Sequence, residues 1–214
     1  MKIAIVGATG RTGSRVVAEA LSRGHTVTAI MRDARKLAAP QSVAIAQLDV
    51  LDTAALTAAF HGMHAIVHAL NPNDQESAQM RAANQRAATL SIIEAAKASG
   101  TRRLLAVGGA GTLKRDGMRF MDHPEFPVEW RGGALATSVV NELLYPEREL
   151  EWTILSPSHW FRPGERTGTF RVGRDDLLID ATGESRISME DYAVALVDEI
   201  ERPKHIRQRF TVGY

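Results

Sequence analysis

Apolar residues along this chain recur with two alternating periods. KIAIV (2–6) is a short β-branched run that stops at a glycine, and Val16, Val17, Ala20 and Leu21 then fall at helical spacing through residues 14–23 before Gly24. The succession repeats. HTVTAIM (25–31), VAIAQLDV (43–50), HAIVHAL (64–70), RRLLAVGG (102–109) and WTILS (152–156) read as strands. DTAALTAAF (52–60), with Asp52 able to cap it, residues 75–99 and residues 133–145 read as helices. The long one places Ala83, Ala87, Leu90, Ile93 and Ala96 on one face and is stopped by Gly100. Strands alternating with helices build a parallel sheet, so the expected fold class is α/β with a doubly wound parallel sheet.

Residues 112–131 follow neither period. A loop that long in a compact domain is usually functional or disordered, and Met118, Phe120, Met121, Phe126 and Trp130 favour an ordered lid. The C-terminal third mixes turns with short strands (FRVG, DLLID, RFTVGY) and one helix. In that helix Ser188 and Asp191 form a near capping box ahead of Tyr192, Ala195, Leu196 and Ile200, and Pro203 ends it. No linker separates this third from the rest. We expect one domain, 1–214, in which residues 157–214 form the rim of an acceptor site over the carboxyl edge of the sheet.

Composition narrows the partners. Among 214 residues, 26 Lys and Arg face 25 Asp and Glu, a net charge of +1 that argues against nucleic acid and membrane and for a small-molecule partner. The absence of cysteine excludes disulfides, thiolate metal sites and cysteine nucleophiles. The first residues leave no room for a signal peptide before Gly7, and no stretch of eighteen apolar residues follows, so a cytoplasmic protein is expected. Nothing in the pattern sets an oligomeric state.

Gly7, Gly10 and Gly13 form G-x-x-G-x-x-G directly after a strand and before a helix. Gly7 permits the tight turn, Gly10 lets the backbone approach a pyrophosphate, and Gly13 allows close helix packing, with amides near Arg11 and Thr12 aimed at the anion. This is the dinucleotide-binding turn of a Rossmann-like sheet. At the end of the second strand, Arg32 suits the 2′-phosphate of NADP(H), and Arg35 and Lys36 add positive charge. The alternative is NAD(H), with Asp33 on the ribose hydroxyls and Arg32 a solvated cation.

At GATGRTG and GHTVTAIMRD the chain resembles the atypical short-chain dehydrogenase/reductase superfamily. LLAVGGAGTL (104–113), WTILSPSHWFRPGERTGTFRVG (152–173), DATGESRISMEDYAVALVDEIE (180–201) and HIRQRFTVGY (205–214) narrow this to the bacterial NADH-flavin reductase family, relatives of biliverdin-IXβ/flavin reductases, with ERTG and SRIS-x-EDYA the most specific segments. The resemblance implies that Gly7, Thr9, Gly10, Arg11 and Thr12 hold the pyrophosphate and Arg32 the 2′-phosphate. It implies further that Asp49 and Val50 border the adenine, and that Ala69, Leu70 and Asn71 line the path to the nicotinamide ribose. Gly108 and Gly109 fall where relatives carry a serine or threonine beside the nicotinamide, Pro157 and Ser158 match the turn against the ring, and Asn84 matches a helix asparagine of extended relatives.

The chain departs from that superfamily at LLYPERE (143–149). Carbonyl reduction needs a proton donor, normally a Tyr whose pKa is lowered by a lysine four residues on, whereas Tyr145 is followed by Glu149 and Tyr192 by Leu196, and Tyr214 is the last residue. A flavin or quinone changes the demand, because it delocalises the incoming electrons and takes its proton from water. The expected function is an NADPH-dependent oxidoreductase passing hydride to a planar acceptor, FMN or another flavin, or a quinone, without a Tyr-x-x-x-Lys relay. No catalytic side chain is certain; Ser158 and His159 are the candidates. Trp160 and Phe161, with the lid residues, would suit a flat acceptor. The alternative is a non-catalytic NADP(H) sensor of the NmrA-like type, and a sugar-nucleotide epimerase or alcohol dehydrogenase comes third.

Other groupings carry less. His61, His64 and His68 suggest a metal site, but four strand residues span roughly 13 Å, too far for His64 and His68 to share one ion, so no metal is expected. Glu165 and Arg166 are expected to pair with each other on their turn, the alternative being contact with substrate. Arg207 and Arg209 read as a solvated face of the last strand, and no G-x-S-x-G follows a strand.

Overall fold

In the computed structural model, which describes residues 1–36, 43–71 and 75–214, the apolar runs become strands lying side by side and pointing the same way. Strand β1 (Lys2–Val6) occupies the middle and pairs in parallel with β2 (Thr26–Met31) on one side and β4 (Ala65–His68) on the other. From β2 the sheet continues to β3 (Ala44–Gln47), and from β4 to β5 (Arg103–Val107), β8 (Glu151–Pro157) and β12 (Gln208–Gly213). One antiparallel strand, β10 (Arg171–Gly173), closes the far edge. The chain thus winds outward from β1 in both directions, and the reversal between β1 and β4 opens a crevice at their carboxyl ends.

Strand alternation sorts the core into two faces. Ile3 and Ile5 meet Val16, Val17 and Ala20 of α1 (Arg11–Ser22) and Tyr192, Leu196 and Ile200 of α5 (Met189–Glu201). Ala4 and Val6 meet Leu56 and Phe60 of α2 (Thr53–Phe60), Ile92 and Ala96 of α3 (Ala78–Ser99), and Val140 and Leu144 of α4 (Arg131–Leu144). The expected caps form. Asp52 accepts from the Ala55 amide, Ser188 accepts from the Asp191 amide, and Gly100 takes the left-handed conformation that ends α3.

Helix α3 corrects the sequence reading of its buried face. Ile93 and Ala96 are buried as expected, but Ala83, Ala87 and Leu90 are exposed, and the inner stripe runs instead through Gln85, Ala88, Thr89 and Ile92. Its polar members turn inward because β4 ends in a buried histidine. The His68 Nε2 lies 3.0 Å from the Thr89 hydroxyl and 3.3 Å from the Gln85 amide nitrogen. His64, by contrast, accepts from the Lys2 amide, so these two histidines serve different neighbours.

Complete burial lowers the His68 pKa from 6.5 to about 4, so the ring is neutral in the fold. Between those values the unfolded chain binds a proton that the folded one refuses. Stability is therefore full above pH 6.5 and is lost as pH falls toward 4, by roughly 3 kcal/mol in all. Urea midpoints recorded from neutral pH down to 4 should fall less steeply for His68→Gln than for the wild type; equal slopes would count against this assignment.

Residues 112–131 are ordered. They contain a hairpin of β6 (Lys114–Arg115) and β7 (Met118–Arg119), and Leu113, Phe120, Met121 and Phe126 bury against Ala134 and Leu177 as a third small core. Met118 and Trp130 stay exposed. DLLID does not form a strand of its own: Asp176 bridges Lys114, and Leu177 plugs that small core. The expected rim is narrower than 157–214, since β10, β12 and α5 belong to the main layers. What stands over the carboxyl edge is the chain just after β8 and just before α5, where β9 (Trp160–Arg162) and β11 (Arg186–Ser188), two strands the periodicity does not reveal, pair in parallel, while Arg174 and Asp175 between them lie beside the start of β12.

Candidate cofactor and acceptor site

The glycine turn is built by close backbone approach. Gly7 has φ +85°, and a Cβ there would lie 2.7 Å from the Ala69 carbonyl oxygen; a Cβ on Gly13 would lie 2.1 Å from the Gly7 carbonyl oxygen. Gly10 is the N-cap of α1 and brings no capping side chain, and the first helical bond runs from the Ser14 amide to the Gly10 carbonyl. The amides that follow Gly10 therefore open the helix toward the crevice at its positive end. Thr9, Gly10 and Arg11 are exposed there and Thr12 is half-buried, the arrangement that receives a pyrophosphate.

Beyond β2, Arg32 is exposed and makes no hydrogen bond or ion pair among the described residues. Asp33, the acid that would bind the ribose hydroxyls of NAD, accepts both Nε and Nη2 of Arg35, at 2.9 and 3.0 Å. The Lys36 side chain lies outside the described residues. After β3, the exposed Asp49 turns its carboxylate onto the Leu51 amide, and Val50 packs on the core. After β4, Ala69 is buried with its amide on the Val6 carbonyl, Leu70 is half-buried and Asn71 exposed. Asn84 bonds Glu76 on the surface of α3.

The other half of the crevice revises several sequence expectations. A Cβ on Gly108 would lie 2.7 Å from the Ser156 Oγ, and one on Gly109 would lie 2.4 Å from the Thr137 Oγ1. Neither position has room for a side chain, because neighbouring β8 and α4 already fill the space with hydroxyls. These two, Ser156 and Thr137, have no signal in the local sequence. Ser158 is fully buried and donates to the Val212 carbonyl at 2.8 Å, so it ties β8 to β12 and is not placed to act as a proton donor.

His159, the other candidate, sits in an aromatic cluster. Its ring lies 4.8 Å from Phe120, 5.0 Å from Trp130 and 4.7 Å from Trp160, bridging the 112–131 segment and the rim. Burial, followed by the charges of Arg115 and Arg162, holds its pKa below the usual imidazole value. Phe161 instead faces the α1–α5 core. Tyr145 lies at the C-terminal end of α4, which leads into the start of β8, and so sits at the amino edge, across the sheet from the crevice.

The rim is tied to both helices beside the glycine turn. Arg166 does not pair with Glu165; it reaches Glu19 of α1 with Nε and Nη2, at 2.7 and 2.8 Å, and that contact is the main reason the Glu19 carboxyl titrates low. The Thr167 hydroxyl and Gly168 amide bond the two oxygens of Asp191, and Ser188 donates to the Glu165 carbonyl. Glu190 accepts from the Gly164 amide and from Arg15, which in turn donates to the Arg11 carbonyl. ERTG and SRIS-x-EDYA, the segments that carry the resemblance, thus hold one another.

Several comparisons agree with this architecture. The chain is 41% identical over 217 residues to the protein YwnB of Bacillus subtilis, covering 99% of this chain and 98% of that one. It is 30% identical over 197 residues to a 3-diazoavenalumate denitrifying reductase of Streptomyces, covering 84% of this chain and 62% of the relative. A solved structure from Streptococcus pneumoniae, provisionally named an NADH-flavin reductase, superposes with a TM-score of 0.83 at 32% identity, covering 100% and 99% of the two chains. Among the described residues no helix is long and apolar enough to cross a membrane. The glycine turn, the sheet order and a family model matching residues 7–203 together establish that this chain belongs to the NAD(P)H-binding family.

Proposed function

We propose that the protein is an NADPH-dependent reductase of a planar conjugated acceptor, of flavin or quinone type. The observation that carries this reading is the distribution of groups along the carboxyl edge: an anion-ready glycine turn at one end, an aromatic cluster around His159 at the other, and Tyr145 on the opposite edge.

The residues present fit a dinucleotide. Gly7 and Gly13 let the backbone close into a tight turn where a Cβ would strike neighbouring backbone, the helix start that follows is exposed, and Arg32 has no partner among the described residues while Asp33 is held by Arg35. When bound, the reduced nicotinamide supplies a hydride, and the acceptor that takes it gains its proton from water. The protein's own part is positioning. Gly108 follows β5 and Pro157 ends β8 at the floor of the crevice, and His159, Trp130 and Trp160 present ring faces and edges that exclude water from a flat molecule. His159, kept neutral, can accept or share a hydrogen bond without placing a charge there.

Purified protein given NADPH and FMN should oxidise the nucleotide well above the uncatalysed rate, and failure across a panel of flavins and quinones would refute the reading. Tight NADPH binding with no turnover would favour the sensor alternative. Arg32→Gln should raise the KM for NADPH roughly 10- to 100-fold, the worth of charge-assisted bonds to a phosphate, while leaving NADH within about threefold. Equal losses for both nucleotides would remove Arg32 from 2′-phosphate recognition.

A further inference from the structure

The amino edge of the sheet, opposite the glycine turn, carries a cavity of about 350 Å³ into which four arginines converge, Arg148, Arg174, Arg207 and Arg209. A solvated face would leave them free, but each is fixed. Arg209 is almost wholly buried, bound to Asp175 and the Thr112 carbonyl. The other three hold only neutral oxygens: Arg148 the Tyr145 carbonyl, Arg207 the Leu150 carbonyl, and Arg174 the side chain of Gln208.

Asp175 is the single carboxylate lining the cavity, and Arg209 occupies it. Glu147 and Glu149, nearby in sequence, are paired with Lys97. Three guanidiniums therefore face one space without a carboxylate partner among the described residues, and like charges held together repel unless an anion joins them. Arg207 also adopts φ +54°, a left-handed conformation that non-glycine residues avoid. Tyr145, partly exposed and packed against Trp152, offers a ring at the cavity wall.

We propose that this cavity binds a phosphate-bearing small molecule, at a site separate from the cofactor crevice. Arginine forks match phosphate oxygens two at a time, and their positions are already set by the carbonyls that hold them. The site stands independently of the reductase reading.

The test is calorimetry at low ionic strength on protein already saturated with NADP⁺, so that the glycine turn is filled, with sodium pyrophosphate and ADP as separate probes. Pyrophosphate should bind the wild type and bind Arg148→Gln/Arg207→Asn at least tenfold more weakly; asparagine is chosen because it tolerates the left-handed backbone. Arg174→Gln alone, which removes an exposed side chain and should not disturb folding, should weaken binding at least threefold. ADP binding tighter than pyrophosphate would extend the site to the Tyr145 ring, and equal affinities would confine it to the phosphates. Absence of heat with both probes, or affinities unchanged in both variants, would overturn the proposal.

Discussion

Gly13→Ala is expected to lower NADP⁺ affinity at least about 100-fold, because the added methyl has nowhere to go and the amides it displaces are the ones that face the anion. Its Cβ would lie 2.1 Å from the Gly7 carbonyl oxygen, 2.9 Å from the carbon of that carbonyl and 3.1 Å from the Ala8 Cα, all of them backbone. A flexible side chain could swing aside; these atoms cannot. Helix α1 would have to retreat, yet its other flank is packed on α5 through Val16, Val17 and Ala20 and anchored by Glu19 to Arg166 and by Arg23 to Asp198 and Glu201. The conflict should also cost about 1–3 kcal/mol of stability, as overpacking does. Titration with NADP⁺ and urea unfolding of the same preparation separate the two effects. Gly10→Ala is the milder comparison, since its Cβ would come to 3.3 Å from the Gly7 carbonyl oxygen, a tight contact that a shift of a few tenths of an ångström relieves, and it should cost less stability than Gly13→Ala. If Gly13→Ala bound NADP⁺ within threefold of the wild type, the glycine turn would not be the anion site.

Arg103→Ala should destabilise the fold by roughly 3 kcal/mol, a large share of the roughly 5–15 kcal/mol that holds a domain together. Arg103 lies on β5 with 6% exposure, and its guanidinium donates to the Glu151 carbonyl, the Thr153 hydroxyl and both the carbonyl and Oε1 of Glu199. Removing it leaves these acceptors buried and strands the Glu199 carboxylate. The loss should fall at the low end for a broken buried pair, because the amides of Lys204 and His205 and the His205 ring still serve that carboxylate. Arg103→Met/Glu199→Gln should recover more than half of the loss, since no charge is then stranded while the glutamine oxygen still accepts the two amides. Urea midpoints decide it. A single variant within 0.5 kcal/mol of the wild type, on the order of an ordinary surface substitution, would show that the network does not stabilise the fold.

The sheet and the glycine turn were legible because their signals are local. KIAIV, the glycines at 7, 10 and 13, the Asp52 and Ser188 caps and the Gly100 stop each depend on residues a few positions apart. The exceptions are instructive. Alanine-rich α3 has no steep apolar gradient, so its rotation was set by what it meets, and buried His68 drew Gln85 and Thr89 inward. Strands β9 and β11 have only three residues each and exist because they pair with each other.

What the sequence determined by itself is the alternation of strands and helices, the dinucleotide turn between β1 and α1, and the lack of Tyr-x-x-x-Lys. Tertiary structure alone decided that Tyr145 stands on the wrong edge, that Ser158 serves β12, that Ser156 and Thr137 fill the space above Gly108 and Gly109, and that Arg166 reaches Glu19 across 147 positions of sequence. The reason is one of range. A strand or a cap is fixed by backbone geometry within a turn or two, whereas the partner of a side chain is whatever the packed layers bring within about 3 Å of it.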